Sequence, residues 1–175
     1  MVFLRKIAGK VGIQESFWLG VLSTALILCS LANGALAAAV SIPDSTIRLR
    51  AVLHVGTPVY RESKSPVTDV SVVFEDDGAV AYLYALENGP RGAVILDMLH
   101  IYDVGNVRDE HRLSDLKLAW SADGRKALLL INDSPHAAFD FAAKRGYCRN
   151  NYPPPNSGWT AFGHEWDDEV LKFFQ

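Results

Sequence analysis

"DVSVVFEDDGAVAYLYAL", residues 69–86, is the stretch whose reading decides the fold. β-branched, aromatic and aliphatic side chains flank Asp76-Asp77-Gly78 on both sides. Glycine after aspartate supplies the positive φ that a tight two-strand turn demands, so the stretch predicts a β-hairpin. After the turn, Val80, Tyr82, Tyr84 and Leu86 alternate with Ala81, Leu83 and Ala85, and neither set is polar. A strand of that kind is expected in the middle of a sheet, covered on both faces.

The same arrangement returns in "LKLAWSADGRKALLLIN", residues 116–132, where Asp123-Gly124 follow Trp120 as Asp77-Gly78 follow Phe74. The two turns lie 46 residues apart. That spacing is close to a propeller blade, but two copies cannot close a propeller. The repeat therefore reads as two hairpins of one antiparallel sheet, with Phe74 and Trp120 at equivalent places facing the core. In "TIRLRAVLH", residues 46–54, Ile47, Leu49, Ala51 and Leu53 alternate with Arg48 and Arg50, the period of a half-buried strand. Pro58 and Pro66, with Ser63 and Ser65 between them, mark a loop. Residues 93–104, "AVILDMLHIYDV", carry a helical stripe at Ile95, Met98, Leu99 and Tyr102, yet their β-branched and aromatic content also permits a bent strand, which is the assignment taken. In "EWDDEVLKFF", residues 165–174, Trp166, Val170 and Phe173 or Phe174 fall at helical spacing, with acids in the first turn and Lys172 in the last. The expected fold is α+β, mainly β: an antiparallel sheet built from two Asp-Gly hairpins, with a short C-terminal helix laid over it.

The N-terminal residues stand apart from this fold. Arg5, Lys6 and Lys10 form a basic start, Phe17 to Leu31 is almost wholly apolar, and Ala35, Ala37 and Ala39 follow, the order of a secretory signal. Cleavage is expected after Ala37, or after Ala39, which makes residues 1–37 the signal and 38–175 a single domain. The alternative is an uncleaved inner-membrane anchor, since Phe17 to Ala39 is long enough to span a hydrocarbon layer of roughly 30 Å. Leu28 stands before Cys29, where a lipid-attachment signal needs a small side chain, so a lipoprotein is set aside. Without Arg5, Lys6, Lys10 and Glu15, the 17 basic and 20 acidic residues become 14 and 19, a formal charge of −5. An acidic chain with no dense basic cluster is poorly made for nucleic acid or an anionic membrane surface. Only Cys148 remains, so no intramolecular disulfide is available in an oxidising compartment.

One run gathers reactive side chains: "SPHAAFDFAAKRGYCRNNYPPP", residues 134–155. Read as a strand, "HAAFDF" sets His136 and Asp140 on one face but about 13 Å apart at ~3.3 Å per residue, too far for a hydrogen bond. Read as a helix it would bring them within one turn. Pro135 and the alternation of Phe139 with Phe141 favour the strand, followed by a helical turn, "AAKRG", capped by Gly146. Asp140 is then expected to pair with Arg145, Arg149 or a backbone donor. A catalytic role for Cys148 would need a cation or base nearby; Lys144, Arg145 and Arg149 are close in sequence, and His136, His111 or His164 would have to arrive through the fold. The competing role is a small apolar side chain packed in the core. His54, His100, His111, His136 and His164 show no metal-ligand spacing, Asp76-Asp77-Gly78 lacks the downstream ligands of a calcium loop, and no nucleotide or nucleophile-elbow motif occurs. No metal and no cofactor is expected.

Trp120-Ser121-x-Asp123-Gly124, Pro135-His136-Ala137-x-Phe139-Asp140-Phe141 and Gly146-Tyr147-Cys148-Arg149 followed by prolines, together spanning Val70 to Pro155, resemble a family of small bacterial proteins catalogued only as a domain of unknown function. The resemblance implies one domain and lends no activity, cofactor or catalytic residue.

The function classes follow from compartment, size and charge. The leading expectation is a non-enzymatic domain of the periplasm or the secreted fraction that binds another protein, an immunity or inhibitor protein being one form of it. The loop "YPPPNSGWTAF", residues 152–162, offers Tyr152, Trp159 and Phe162 as aromatic anchors. The alternatives are a small hydrolase or thiol enzyme built on Cys148 and His136, and an envelope-assembly or structural component.

Overall fold

Both Asp-Gly dipeptides turn hairpins. In the computed structural model, which describes residues 41–154, 158–160 and 162–175, strands β3 (Val70–Asp76) and β4 (Val80–Gly89) flank the first turn. Strands β6 (Leu113–Trp120) and β7 (Lys126–Ile131) flank the second. Residues 1–37, read above as a secretory signal, lie outside the described residues. The first aspartate pair closes its turn in detail: Asp76 accepts from the Gly78 N–H at 2.8 Å, and Asp77 from those of Ala79 and Val80 at 2.8 and 2.9 Å. Around the hairpins run β1 (Ile47–His54), β2 (Val59–Lys64), β5 (Gly92–Asp103), β8 (Ser134–Asp140) and β9 (Arg145–Cys148). A 3-10 helix, Asp168–Phe174, follows.

The strands form two antiparallel sheets, not the single sheet expected: β2-β3-β4-β5 and β1-β6-β7-β8-β9. Phe74 and Trp120 explain the division. Each closes the apolar side of its own hairpin, and a sheet with one apolar face buries it against another. Val72, Phe74, Leu83 and Leu99 from the first sheet meet Leu118, Trp120, Leu129 and Phe139 from the second in one core. Phe74 and Trp120 thus hold matching positions, as the repeat predicts, but on opposite walls.

Residues 93–104 are strand, as assigned. Strands covered on both faces lie in the other sheet, β7 most fully, and β4 is not one of them. Ala127 and Leu129 face the sandwich core, while Leu128 and Leu130 lie under Val170, Leu171 and Phe174 of the 3-10 helix. β4 buries only Ala81, Leu83 and Ala85; its other face stays half-exposed, with Tyr82 and Tyr84 leaning together at 6.0 Å between centroids. Tyrosine tolerates that position because its ring packs while its hydroxyl reaches water. Of the C-terminal aromatics, Phe174 is the inward one and Phe173 is exposed.

Two further expectations are corrected. Residues 59–64, read as loop, form edge strand β2, which has its prolines just outside it and needs partners on one side only. Its Ser63 is buried and accepts the indole N–H of Trp120 at 3.0 Å. Gly146 is not a helix cap but a residue of β9, paired with Phe139. The chain reverses before it, with Lys144 at φ 52° and the Asp140 carboxylate accepting the N–H groups of Ala142 and Ala143, both at 2.9 Å. Asp140 therefore has its backbone donors, and its cationic neighbour is Lys126 at 3.9 Å, not Arg145 or Arg149.

Candidate functional site

β5 and β9 are the outer strands of their sheets and run together along one side of the sandwich. Gly146 permits the approach: a Cβ there would stand 3.0 Å from Leu99 Cδ2 and 3.2 Å from His164 Cδ2. Past β9 the chain folds over this seam. The His100 N–H donates to the Tyr152 carbonyl at 2.9 Å, and the Cys148 N–H to the His164 carbonyl at 2.8 Å.

Cys148 pairs with Ala137 and faces the core with it. Its thiol lies 3.0 Å from the His100 carbonyl and 3.0 Å from Asn150 Oδ1. Burial pushes the thiol up, and the weaker pull of the N–H groups of residues 149–152 does not reverse it. His136 is occupied elsewhere, its Nδ1 against the Ser134 carbonyl at 2.8 Å, and burial lowers its pKa. Asp140 holds the β8–β9 turn. His136, Asp140 and Cys148 thus serve three separate local structures.

What the seam does assemble is an open pocket of about 470 Å³ lined by Tyr82, His100, Asp103, Asn150 and Tyr152. The backbone fixes how Asn150 is oriented. Its Oδ1 accepts the Tyr152 N–H at 3.1 Å and its Nδ2 donates to the His100 carbonyl at 2.7 Å, roles that cannot be exchanged. Nδ2 also lies 2.7 Å from His100 Nδ1, which must therefore accept. The ring proton sits on Nε2 and is donated to Asp103 Oδ1 at 3.1 Å. Tyr82 and Tyr152 stand nearly at right angles to the imidazole, at 74° and 86°, with centroids 5.5 and 5.6 Å away.

A second histidine is sealed in at the same seam. His164 is 0% exposed, with Nδ1 2.6 Å from the Pro153 carbonyl and Nε2 3.0 Å from Asp97 Oδ2. Both nitrogens face acceptors, so the ring carries both protons. Burial acts to lower its pKa, but the hydrogen bond and charge of Asp97, with the Pro153 carbonyl, outweigh it and hold the pKa up.

The aromatic anchors divide. Tyr152 and Phe162 are each 53% exposed, the latter 5.6 Å from the Arg145 guanidinium. Trp159 instead packs edge-on against Phe139 and Phe141, at 6.2 and 5.9 Å. Tyr82, His100, Asp103 and Asn150 carry no spacing that announces them, because His100 on β5 and Asn150 just past β9 are 50 positions apart. Among the described residues no group of three His, Cys, Asp or Glu is placed to hold a metal ion.

Fold and site together define a two-sheet antiparallel β-sandwich with its thiol sealed and a tyrosine-walled pocket open at the seam. The chain belongs to a family described as "uncharacterized protein conserved in bacteria (DUF2251)", whose pattern matches residues 53–175. It is 44% identical over 111 residues to an uncharacterized protein of Haemophilus influenzae, covering 62% of this chain and 69% of that relative. No solved structure matches it.

Proposed function

We propose that the chain is an exported, non-enzymatic domain that binds another protein through the seam where β5 and β9 meet. The observation that carries this reading is the contrast between Cys148 and Tyr152. The one thiol among the described residues faces inward with its pKa raised, while four residues later an exposed aromatic side chain stands at the mouth of a pocket. A thiol enzyme needs the reverse: a thiolate at the surface with a base beside it. The imidazole ring of His100, whose carbonyl the thiol touches, is engaged by Asn150 and Asp103. An exposed tyrosine at the mouth of a concavity is what a protein interface uses as an anchor, and Phe162 adds a second exposed aromatic ring. The periplasm or the secreted fraction is the compartment that the N-terminal signal supports.

Photo-crosslinking in growing cells tests the proposal. A photoreactive amino acid at position 152 or 162 is expected to give a discrete adduct, absent when the same group replaces exposed Val94 on the far part of β5. Equal adduct patterns at all three positions would count against an interface at the seam.

A further inference from the structure

The pocket carries an uncancelled negative charge. Asp103 Oδ1 receives the Nε2–H of His100, and its Oδ2 receives the Asn106 side-chain amide at 3.1 Å. Both donors are neutral groups, since Asn150 requires His100 Nδ1 to be an acceptor. Among the described residues no Lys or Arg makes an ion pair with Asp103. Beside this carboxylate stand the three aromatic rings of Tyr82, His100 and Tyr152.

The two rows of the sheet at the pocket carry the same sign. Register across the first sheet sets Tyr60, Glu75, Tyr82 and His100 in one row on its uncovered face. The next row is Glu62, Val73, Tyr84 and Met98. These eight residues include two carboxylates and no Lys or Arg. The phenols feel it: Tyr84 is pushed up to about 12 by burial and then by Glu75, and Tyr82 is raised by burial, Tyr152, Asp103 and Asp77.

We infer that the pocket of Tyr82, His100, Asp103 and Tyr152 is a binding site for an organic cation, an ammonium or guanidinium group. Aromatic faces attract such a cation through their quadrupoles, and a partly desolvated carboxylate adds direct charge. A metal ion fits less well, because the pocket offers one carboxylate, its Asn150 amide is engaged by His100 and the Tyr152 N–H, and its remaining walls are rings. The opening is far larger than one ammonium head, so the cation arrives on a longer body: a free quaternary amine, or a lysine or arginine side chain of a bound protein. The inference deepens the binding reading above and rests on it only for the second source.

The test is an NMR titration of the folded domain with choline, with its neutral carbon isostere 3,3-dimethylbutan-1-ol, and with capped Gly-Lys-Gly and Gly-Arg-Gly peptides. Saturable shifts of the Tyr82, His100 and Tyr152 ring signals are expected with the cations, and binding at least about tenfold weaker with the isostere. Asp103→Asn and Tyr152→Ala should each weaken the cation by about fivefold or more, whereas Tyr82→Phe, which keeps the ring face, should stay within about twofold. Equal binding of the isostere, an unchanged affinity in Asp103→Asn, or no saturation by any cation would overturn the site. Preference for the peptides assigns the cation to a protein; preference for choline keeps the site and counts against a protein partner. Failure of every cation while crosslinks at position 152 persist removes the cation site alone.

Discussion

Trp120 joins the two walls of the sandwich. Its ring stacks on Phe141 at 5.8 Å and 18°, and its indole N–H crosses the core to Ser63. Trp120→Ala should cost about 3 to 5 kcal/mol, through the cavity it opens and the Ser63 hydroxyl it strands. That is a large part of the ~5 to 15 kcal/mol typical of a domain. Equilibrium urea unfolding measures it, and a change below ~0.5 kcal/mol would contradict burial. Cys148 gives the second expectation at this scale: iodoacetamide should label it slowly until the protein unfolds. Fast labelling of the folded chain, with an apparent pKa well under the usual ~8.5, would revive a thiol enzyme. Cys148→Ser should leave partner binding unchanged. Trp120 was legible in the sequence because a turn three residues away fixes which face it takes. Asn150 was not, since its partner His100 reaches it only where two sheet margins meet.

The seam between β5 and β9 depends on one buried ion pair, and its pH dependence has a definite sign. An unfolded histidine titrates near ~6.5. His164 is raised above that in the fold, so its stabilisation is fully present below about 6.5 and is lost as pH climbs through the raised value. Asp97→Asn should therefore cost about 3 to 5 kcal/mol at mildly acid pH, the usual penalty for breaking a buried pair. The gap to the native chain should narrow in alkaline solution. Urea midpoints taken across pH for both chains decide this; a gap that does not change with pH would show that His164 is not the charged partner. Gly146→Ala tests the closeness of the strands, and should lower stability by pressing on Leu99 and His164. Among the elements, the hairpins and β1 could be read from alternation alone. β2 could not, because an edge strand with a buried serine and flanking prolines has the composition of a loop. The C-terminal element was legible as a cover but not as a 3-10 helix, which differs from an α-helix by one residue in its hydrogen bonding.

At the scale of the molecule, the division into two sheets was the part least visible in the sequence. Two hairpins with the same turn chemistry pair equally well side by side or face to face. What separates them is the crossing between β5 and β6, which holds only a short 3-10 turn, Val104–Asn106, and a polar stretch. The secretory-signal reading adds a prediction here: the protein recovered from the envelope should begin near residue 38 or 40. Mass spectrometry of the purified envelope fraction checks it, and an intact Met1 that needs detergent for release would favour the membrane anchor.

The pairing of β1 with β6 bears on how the chain is made. β1 is among the first strands synthesised, yet its partner follows about 60 residues later, after the whole first sheet. That first sheet is a meander of neighbouring strands and can zip up as it emerges, whereas β1 must wait for a long loop to close. A waiting strand with bare hydrogen-bonding edges invites pairing with a neighbouring chain. Arg48 and Arg50 alternate along its exposed side, ahead of Val52, and make such pairing electrostatically costly. The charges on β1 thus protect the nascent chain at the time its own partner does not yet exist.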